Sequence, residues 1–99
     1  MKKINAVVTG GASGLGEATV REVIKNGGNA AIFDFQKERG NILSKELGEN
    51  CIFLETDVTS EESINNSLSS TLSKFKFINL LVNCAGIGIA NKVVGKEKL

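Results

Sequence analysis

The residues of this chain that could do chemistry begin with the segment Thr-Gly-Gly-Ala-Ser-Gly-Leu-Gly at residues 9–16. An apolar run at residues 4–8 precedes this segment, and an amphipathic run at residues 17–27 follows it. A glycine-rich loop between a strand and a helix is typical of phosphate binding, because a helix start offers unpaired backbone N–H groups and a partial positive charge. Glycine also lacks the Cβ atom that would hold a pyrophosphate at a distance. The segment therefore predicts a phosphate-binding loop.

The spacing within this loop is G-x-x-x-G-x-G, on Gly10, Gly14 and Gly16. A P-loop would need a lysine directly after its last glycine, followed by a hydroxyl that binds magnesium. Glu17 and Ala18 occupy those positions, and a carboxylate there would repel phosphate, so we exclude the P-loop. A tight turn without a ligand is the other interpretation of the glycines taken alone.

A carboxylate follows the second apolar run, where Asp34 stands 18 residues after Gly16. An acid about 20 residues beyond the glycine loop is placed to accept hydrogen bonds from an adenosine ribose. Its charge would repel a 2′-phosphate, which favours NAD over NADP. Lys37 and Arg39 argue the other way, since a basic group nearby could hold that phosphate. A solvated turn acid is the non-functional alternative for Asp34.

Two further segments follow the third and fourth apolar runs, Asp57-Val58 and Asn83-Cys84-Ala85-Gly86. Ligands of a doubly wound sheet bind outside the carboxyl ends of the strands, so all four segments are expected at one edge. Asp57 can accept a hydrogen bond from an adenine amino group while the Val58 N–H donates to a ring nitrogen. An acid leading a helix is the alternative for Asp57. For Cys84 a small buried side chain is favoured, with its backbone still able to face a ribose.

The elements that must position these groups follow from hydrophobic patterning. Continuous apolar runs at residues 6–8, 30–33, 52–54 and 80–82 predict strands buried on both faces of a parallel sheet. Amphipathic segments lie between the runs, and the clearest places Ile64, Leu68, Leu72 and Phe75 on one helix face. The order is β-α-β-α-β-α-β, an α/β fold. Right-handed crossovers then place helices on both faces of the sheet.

Helix boundaries are predicted from capping residues. Gly27 and Gly48 have the positions of glycines that end the first and second helices. Thr59 and Glu62 have the spacing of a capping box, which predicts Thr59 as the N-cap of the third helix.

Composition limits the possible functions. The chain has 99 residues, a net charge of +1 and no apolar stretch of the length that spans a membrane. Interspersed charges argue against nucleic-acid binding, and Met1-Lys2-Lys3 is followed at once by a strand, which argues against a signal peptide. Cys51 and Cys84 are predicted on strands about 14 Å apart, too far for a disulfide. Free thiols indicate a reducing compartment.

Taken together, the four segments resemble the amino-terminal half of a short-chain dehydrogenase/reductase. Within that family, the sequence resembles most the branch that acts on 3-hydroxyacyl-CoA and hydroxysteroid substrates. The amino acids that carry this resemblance are those at residues 9–16, 50–51, 57–61 and 83–87. The resemblance extends to about residue 93. It implies a partial Rossmann fold with strand order 3-2-1-4, in which residues 1–90 form the dinucleotide-binding unit and residues 91–99 a loop or frayed tail.

The resemblance also implies NAD as the cofactor and a role for each matching residue. Ser13 and Leu15 would hold the pyrophosphate and its ribose, and Asp34 the adenosine ribose. Asp57 and Val58 would hold the adenine, and Cys84 would lie on the nicotinamide side. Asn83 would brace the fourth strand against the glycine loop, and Ala85 and Gly86 complete its motif. The family's catalytic groups are a Ser, a Tyr-x-x-x-Lys and an Asn. Because this sequence contains no Tyr, the chain is expected to be inactive alone.

Two alternatives remain at this level. One is a non-catalytic nucleotide-binding or interaction module, and the other is a methyltransferase-like domain, for which the segment at residues 83–86 has no evident use. The expected partners are a small-molecule dinucleotide and a second copy of the chain. The second copy would pair with the fourth strand, which is expected to be an exposed outer strand of the sheet. The family is usually homo-oligomeric. The expected compartment is cytoplasmic, or mitochondrial by the resemblance alone.

Overall fold

A computed structural model describes residues 3–84 of the chain. Its four strands are β1 (Asn5–Thr9), β2 (Asn29–Asp34), β3 (Cys51–Glu55) and β4 (Leu80–Asn83). Its three helices are α1 (Gly14–Lys25), α2 (Lys37–Leu47) and α3 (Glu61–Phe75). The strands and helices alternate along the chain, as the apolar runs predict. The tail predicted at residues 91–99, and the boundary before it, lie outside the described residues.

The strands form one parallel sheet in the order β3-β2-β1-β4. Ala6 of β1 pairs with Ala30 of β2 on one side and with Leu80 of β4 on the other. The α/β fold class and the strand order 3-2-1-4 are therefore confirmed. This order brings the carboxyl ends of β1, β2 and β4 to the same edge, because parallel strands all end on one side of the sheet.

Each face of the sheet has its own layer of helices. Alternate residues of a strand point to opposite faces, so Val8 and Ile32 pack in one apolar cluster while Val7 and Phe33 pack in another. The first cluster includes buried residues of α1 and α2, and the second includes Phe75 of α3. Helices on both faces are thus confirmed.

The start of α3 differs from the sequence prediction. The N-cap is Ser60, whose Oγ accepts a hydrogen bond from the Ser63 N–H at 3.1 Å. Thr59, the residue predicted for this role, donates its hydroxyl to the Asp57 carboxylate at 2.6 Å. The capping prediction was therefore wrong by one residue, because a neighbouring carboxylate engages the threonine.

The buried face of α3 also differs from its apolar pattern. Leu72 is 44% exposed, whereas Ser67 and Thr71 are buried. Thr56, which follows β3, explains the difference, because its hydroxyl lies 2.7 Å from the Ser67 Oγ. The Thr71 hydroxyl in turn donates to the Ser67 carbonyl at 2.8 Å. These hydrogen bonds satisfy the buried hydroxyls and offset the loss of their hydration.

Within residues 3–84, none of the helices has both the length and the apolar character needed to cross a membrane.

Candidate functional site

A groove of about 290 Å³ lies at the carboxyl edge of the sheet. It is lined by residues of the glycine loop, of the end of β2 and of the segments after β3 and β4: Gly10, Ser13, Phe33, Asp34, Phe35, Gln36, Val58 and Cys84. Each of the four chemical segments found in the sequence contributes at least one of these residues. The topology thus brings together groups that are up to 74 positions apart in the chain.

The glycine loop leaves β1 and turns directly into α1. The Gly10 N–H donates to the Phe33 carbonyl at 2.8 Å, and Gly10 has φ +68°, a left-handed conformation that favours glycine. A Cβ atom on Gly16 would overlap the Gly10 carbonyl, so helix and loop can approach this closely only with glycine at that position. The glycines therefore hold the start of α1 against the end of β1.

The start of α1 keeps backbone donors available to a ligand. Ser13 is the N-cap residue in an extended conformation, and its side chain makes no capping hydrogen bond. Its hydroxyl instead accepts from the Gln36 side-chain amide at 3.3 Å. The first N–H groups of a helix have no partner inside the helix. Those of Gly14, Leu15 and Gly16, in the first turn, are therefore the donors that an anion would meet. Leu15 is 76% exposed.

Asp34 connects the glycine loop to the end of β2. Its side chain is buried, and Oδ2 accepts from the Ala12 N–H at 3.1 Å. Oδ1 accepts from the Gln36 backbone N–H at 3.0 Å and from its side-chain amide at 3.4 Å. A carboxylate accepts about four hydrogen bonds, so capacity for a ribose hydroxyl remains. Asp34 is thus a fixed part of the groove wall and not a solvated turn acid.

Asp57 lies at the same edge but does not line the groove. Its carboxylate accepts from the Thr59 hydroxyl at 2.6 Å and from the Thr59 N–H at 3.0 Å. These two hydrogen bonds hold the pKa of Asp57 below its ordinary value. The neighbouring Val58 does line the groove.

The segment after β4 is attached to the end of β1. The Thr9 hydroxyl donates to the Asn83 side-chain carbonyl at 2.6 Å, and the Cys84 N–H donates to the Thr9 carbonyl at 3.0 Å. These bonds place Cys84 beside the glycine loop, as a bracing role for Asn83 implies. Ala85 and Gly86 lie outside the described residues.

Three groove residues were missed by the sequence reasoning: Phe33, Phe35 and Gln36. Phe35 is 72% exposed although it is a large apolar residue. The available signal was their position beside Asp34, at the carboxyl end of a strand. Their spacing alone matches no chemical motif, so only the sheet topology identifies them.

The two cysteines are free thiols, as predicted. Cys51 is buried in β3, and burial raises the pKa of its thiol to about 11. Cys84 is half-buried and follows β4, which lies at the opposite side of the sheet from β3.

Fold and site together define an α/β protein of the Rossmann type, with a glycine loop at the carboxyl edge of its sheet. The family model described as short chain dehydrogenase matches residues 4–98. The chain belongs to the short-chain dehydrogenase family, as the sequence resemblance predicts.

Relatives and solved structures agree with this assignment. The chain is 41% identical to human 3-hydroxyacyl-CoA dehydrogenase type-2 over 98 residues, which are 99% of this chain and 38% of the relative. A crystal structure of the type-2 enzyme from Mycobacterium avium has a TM-score of 0.74 and 37% identity, covering 85% of this chain and 33% of that one. A 3-ketoacyl-(acyl-carrier-protein) reductase from Brucella melitensis, complexed with NADH, has a TM-score of 0.77 and 27% identity over 79% of this chain and 32% of that one. The chain thus spans well under half the length of these proteins.

Proposed function

We propose that the groove at the carboxyl edge of the sheet binds NAD, and that the chain is the cofactor-binding part of an oxidoreductase. The observation that carries the proposal is Asp34, a buried carboxylate that is fixed beside the glycine loop and faces the groove. A groove with a helix start at one side and a carboxylate at the other matches the two ends of an ADP-ribose group. The NADH complex of the Brucella relative supports the same cofactor class.

Each end of the groove has a separate role in this proposal. The first turn of α1 donates hydrogen bonds to the pyrophosphate, with Ser13 and Leu15 beside it. Asp34 accepts hydrogen bonds from the hydroxyls of the adenosine ribose. Val58 and Phe35 supply apolar surface for the adenine, whose ring can stack on an exposed aromatic side chain. Asp57, at the same edge of the sheet, would accept a hydrogen bond from the adenine amino group.

The roles proposed for the segment after β4 are supported by its attachment to β1 and by the family resemblance. Asn83 holds β4 against Thr9. Cys84 lines the groove and would face the nicotinamide side of the cofactor, as the resemblance implies. We propose Ala85 and Gly86 as further cofactor-binding residues, because the family resemblance includes them in the same motif. Residues 1–90 would then form the dinucleotide-binding unit.

The preference for NAD over NADP rests on charge. A 2′-phosphate would be placed close to the Asp34 carboxylate, and two like charges at short range repel strongly when one is shielded from water. We expect NAD to bind at least about tenfold more tightly than NADP, which corresponds to about 1.4 kcal/mol.

Isothermal titration calorimetry with NAD and NADP on the 99-residue chain tests this preference. Asp34→Asn should weaken NAD binding and reduce the ratio between the affinities for NAD and for NADP. Glu55→Gln is the matched control, because Glu55 pairs with Asp34 in the strand register but is exposed and outside the groove. Equal affinity of the unchanged chain for both cofactors would contradict the proposed preference, and no binding of either would contradict the proposed site.

We propose 3-hydroxyacyl-CoA or hydroxysteroid alcohols as the substrate class, the first from the name of the human relative and the second from the sequence resemblance alone. The printed sequence contains neither Tyr nor His to take the alcohol proton. A positioned acid–base group contributes about 10²–10⁴ in rate. We therefore propose that the 99 residues bind the cofactor without turning over substrate. NADH production by the purified chain with a 3-hydroxyacyl-CoA would contradict this.

We also propose that the chain self-associates through β4 and that it works in a reducing compartment. Among the described residues, β4 pairs only with β1, and Leu80 on it is partly exposed. An unpaired strand edge is a template for a second copy. Sedimentation velocity should show a dimer that Leu80→Lys disrupts and that Ile42→Lys, at an exposed position on α2, leaves intact. The free thiols support the compartment, cytoplasmic or mitochondrial.

A further inference from the structure

Glu17 is a residue that phosphate binding does not explain. It lies in α1 three residues after the helix begins, where a negative charge opposes an incoming anion. Its side chain is directed towards two arginines instead. Oε2 accepts from Arg21 at 3.0 Å, and Oε1 lies 3.6 Å from an Nη atom of Arg39 in α2. The carboxylate is therefore paired across the two helices.

Arg39 is held by the same arrangement. Its Nε donates to the Ala12 carbonyl at 3.2 Å, and its Nη2 faces Glu17. These contacts belong to a cavity between α1 and α2, lined by Ala12, Glu17 and Arg39 among others, which is separate from the groove. Arg39 is thus turned away from the groove although it is one of the two basic residues closest to Asp34 along the chain.

The backbone of a single residue, Ala12, connects the arginine to the acid. The Ala12 N–H donates to the Asp34 carboxylate, and the Ala12 carbonyl accepts from Arg39. A phosphate on the ribose 2′-oxygen would lie beside Asp34, within the range of an arginine side chain released from Glu17. Guanidinium groups bind phosphate through charge-assisted hydrogen bonds, so a released Arg39 would favour NADP.

We propose that Glu17 is a specificity-determining residue that keeps Arg39 on the α1–α2 side of the loop and thereby denies the groove a partner for a 2′-phosphate. The inference rests on the proposed NAD binding and deepens it. Cofactor choice then depends on two carboxylates with different roles. Asp34 repels the 2′-phosphate directly, and Glu17 holds back the cation that would otherwise neutralise it.

The side chain of Arg39 is 55% exposed and that of Glu17 is 29% exposed. Loss of this weak, exposed ion pair leaves Arg39 held by its hydrogen bond to the Ala12 carbonyl, which a ligand phosphate can replace. We expect Glu17→Gln to bind NADP about three- to fivefold more tightly than the unchanged chain, because the gain cannot exceed the exposed ion pair that the substitution removes. NAD affinity should stay within about twofold, because NAD has no phosphate at that position.

The test is a set of calorimetric titrations with NAD and NADP on the full chain. Glu46→Gln is the matched control, since Glu46 pairs with Arg21 across the same two helices but does not touch Arg39. Arg39→Met removes the cation, and in that background Glu17→Gln should no longer change the NADP affinity. Lys37→Met, which removes the other nearby cation, should leave the effect of Glu17→Gln intact.

The outcomes separate this inference from the proposal beneath it. An unchanged NADP-to-NAD affinity ratio in Glu17→Gln, or the same increase with and without Arg39, overturns the role of Glu17 while NAD binding stands. The same increase in Glu46→Gln also overturns it, since loosening of the helix pair would then explain the result. Failure of the unchanged chain to bind either cofactor overturns the proposed function and this inference with it.

Discussion

The two edges of the sheet are both polar, but they use their polar groups differently. At the amino edge three asparagines bond to one another and to the chain. The Asn5 side chain donates to the carbonyls of Phe75 and Phe77, and it accepts from Asn29. Asn79 accepts from the Asn5 N–H at 2.8 Å and donates to a neighbouring carbonyl. This edge closes the turn before β4 against β1 and β2.

The carboxyl edge keeps part of its hydrogen-bonding capacity unused. Asp34 and Ser13 bond to the loop and to Gln36, yet the start of α1 presents donors and the groove remains open. Among the described residues, no buried side-chain nitrogen or oxygen lacks a partner, so the difference is not one of unsatisfied groups. The difference is that the free hydrogen-bonding capacity of the carboxyl edge faces the groove. An edge whose polar groups are mutually satisfied stabilises the fold, and an edge with exposed donors can bind.

The largest effect on cofactor binding is expected at the carboxyl edge from Gly16→Val. The added side chain would overlap the Gly10 carbonyl and push α1 away from β1. Overpacking of this kind costs about 1–3 kcal/mol, and NAD binding should weaken by at least about tenfold as the helix start moves. Ala18→Val is the control, because Ala18 is an exposed residue of the same helix. Equal NAD affinities in calorimetry would show that the close approach is not needed.

At the amino edge Asn5→Ala should affect stability and not binding. The substitution removes two donated hydrogen bonds and one accepted from Asn29. At about 1 kcal/mol each, with a further penalty for partners left buried, the free energy of unfolding should fall by about 2–4 kcal/mol. Urea denaturation measures this, with Asn41→Ala on exposed α2 surface as the control. A change in NAD affinity of the folded protein would mean that the two edges are coupled.

The alkylation rates of the two cysteines test the accessibility of the two edges separately. Cys51 begins β3 at the amino edge, and its pKa of about 11 leaves about one thiol in a thousand ionised at pH 8. Cys84 lines the groove. Iodoacetamide followed by mass spectrometry should modify Cys84 at least about tenfold faster than Cys51, since the thiolate is the nucleophile. NAD should protect Cys84 alone. Faster reaction of Cys51 would show that the amino edge opens readily.

The smallest effect concerns Asp57 and pH. Hydrogen bonds from Thr59 lower the pKa of Asp57, so the folded chain favours the carboxylate. Their contribution is present above the ordinary carboxyl pKa of about 3.9 and is lost as the pH falls through the lower folded value. Thr59→Val removes the hydroxyl donor and should raise the pKa of Asp57 in an NMR titration. Thr19→Val is the control, because Thr19 donates only to the Leu15 carbonyl. An unchanged pKa of Asp57 in Thr59→Val would show that the Thr59 hydroxyl does not stabilise the carboxylate.

Much of the carboxyl edge was predictable because its signals are local. Gly10, Gly14 and Asp34 follow short apolar runs, and the parallel sheet that those runs predict brings their ends to one side. The end of α2 was also predictable, since Gly48 has φ +92° directly after Leu47 and ends the helix there. Signals of this kind depend on backbone conformation and residue order, which the chain carries position by position.

What the sequence determined by itself is the order of strands and helices, the glycine loop and the acid beside it, because each follows from periodicity or spacing within a few residues. The tertiary structure decided which polar groups meet. Ser67 is buried with Thr56 as its side-chain partner, and Thr59 is engaged by Asp57 while Ser60 caps α3. The tertiary structure also decides that the Glu17 side chain points towards Arg39 of α2. Hydrogen bonds and ion pairs between elements depend on distances that chain patterns do not contain.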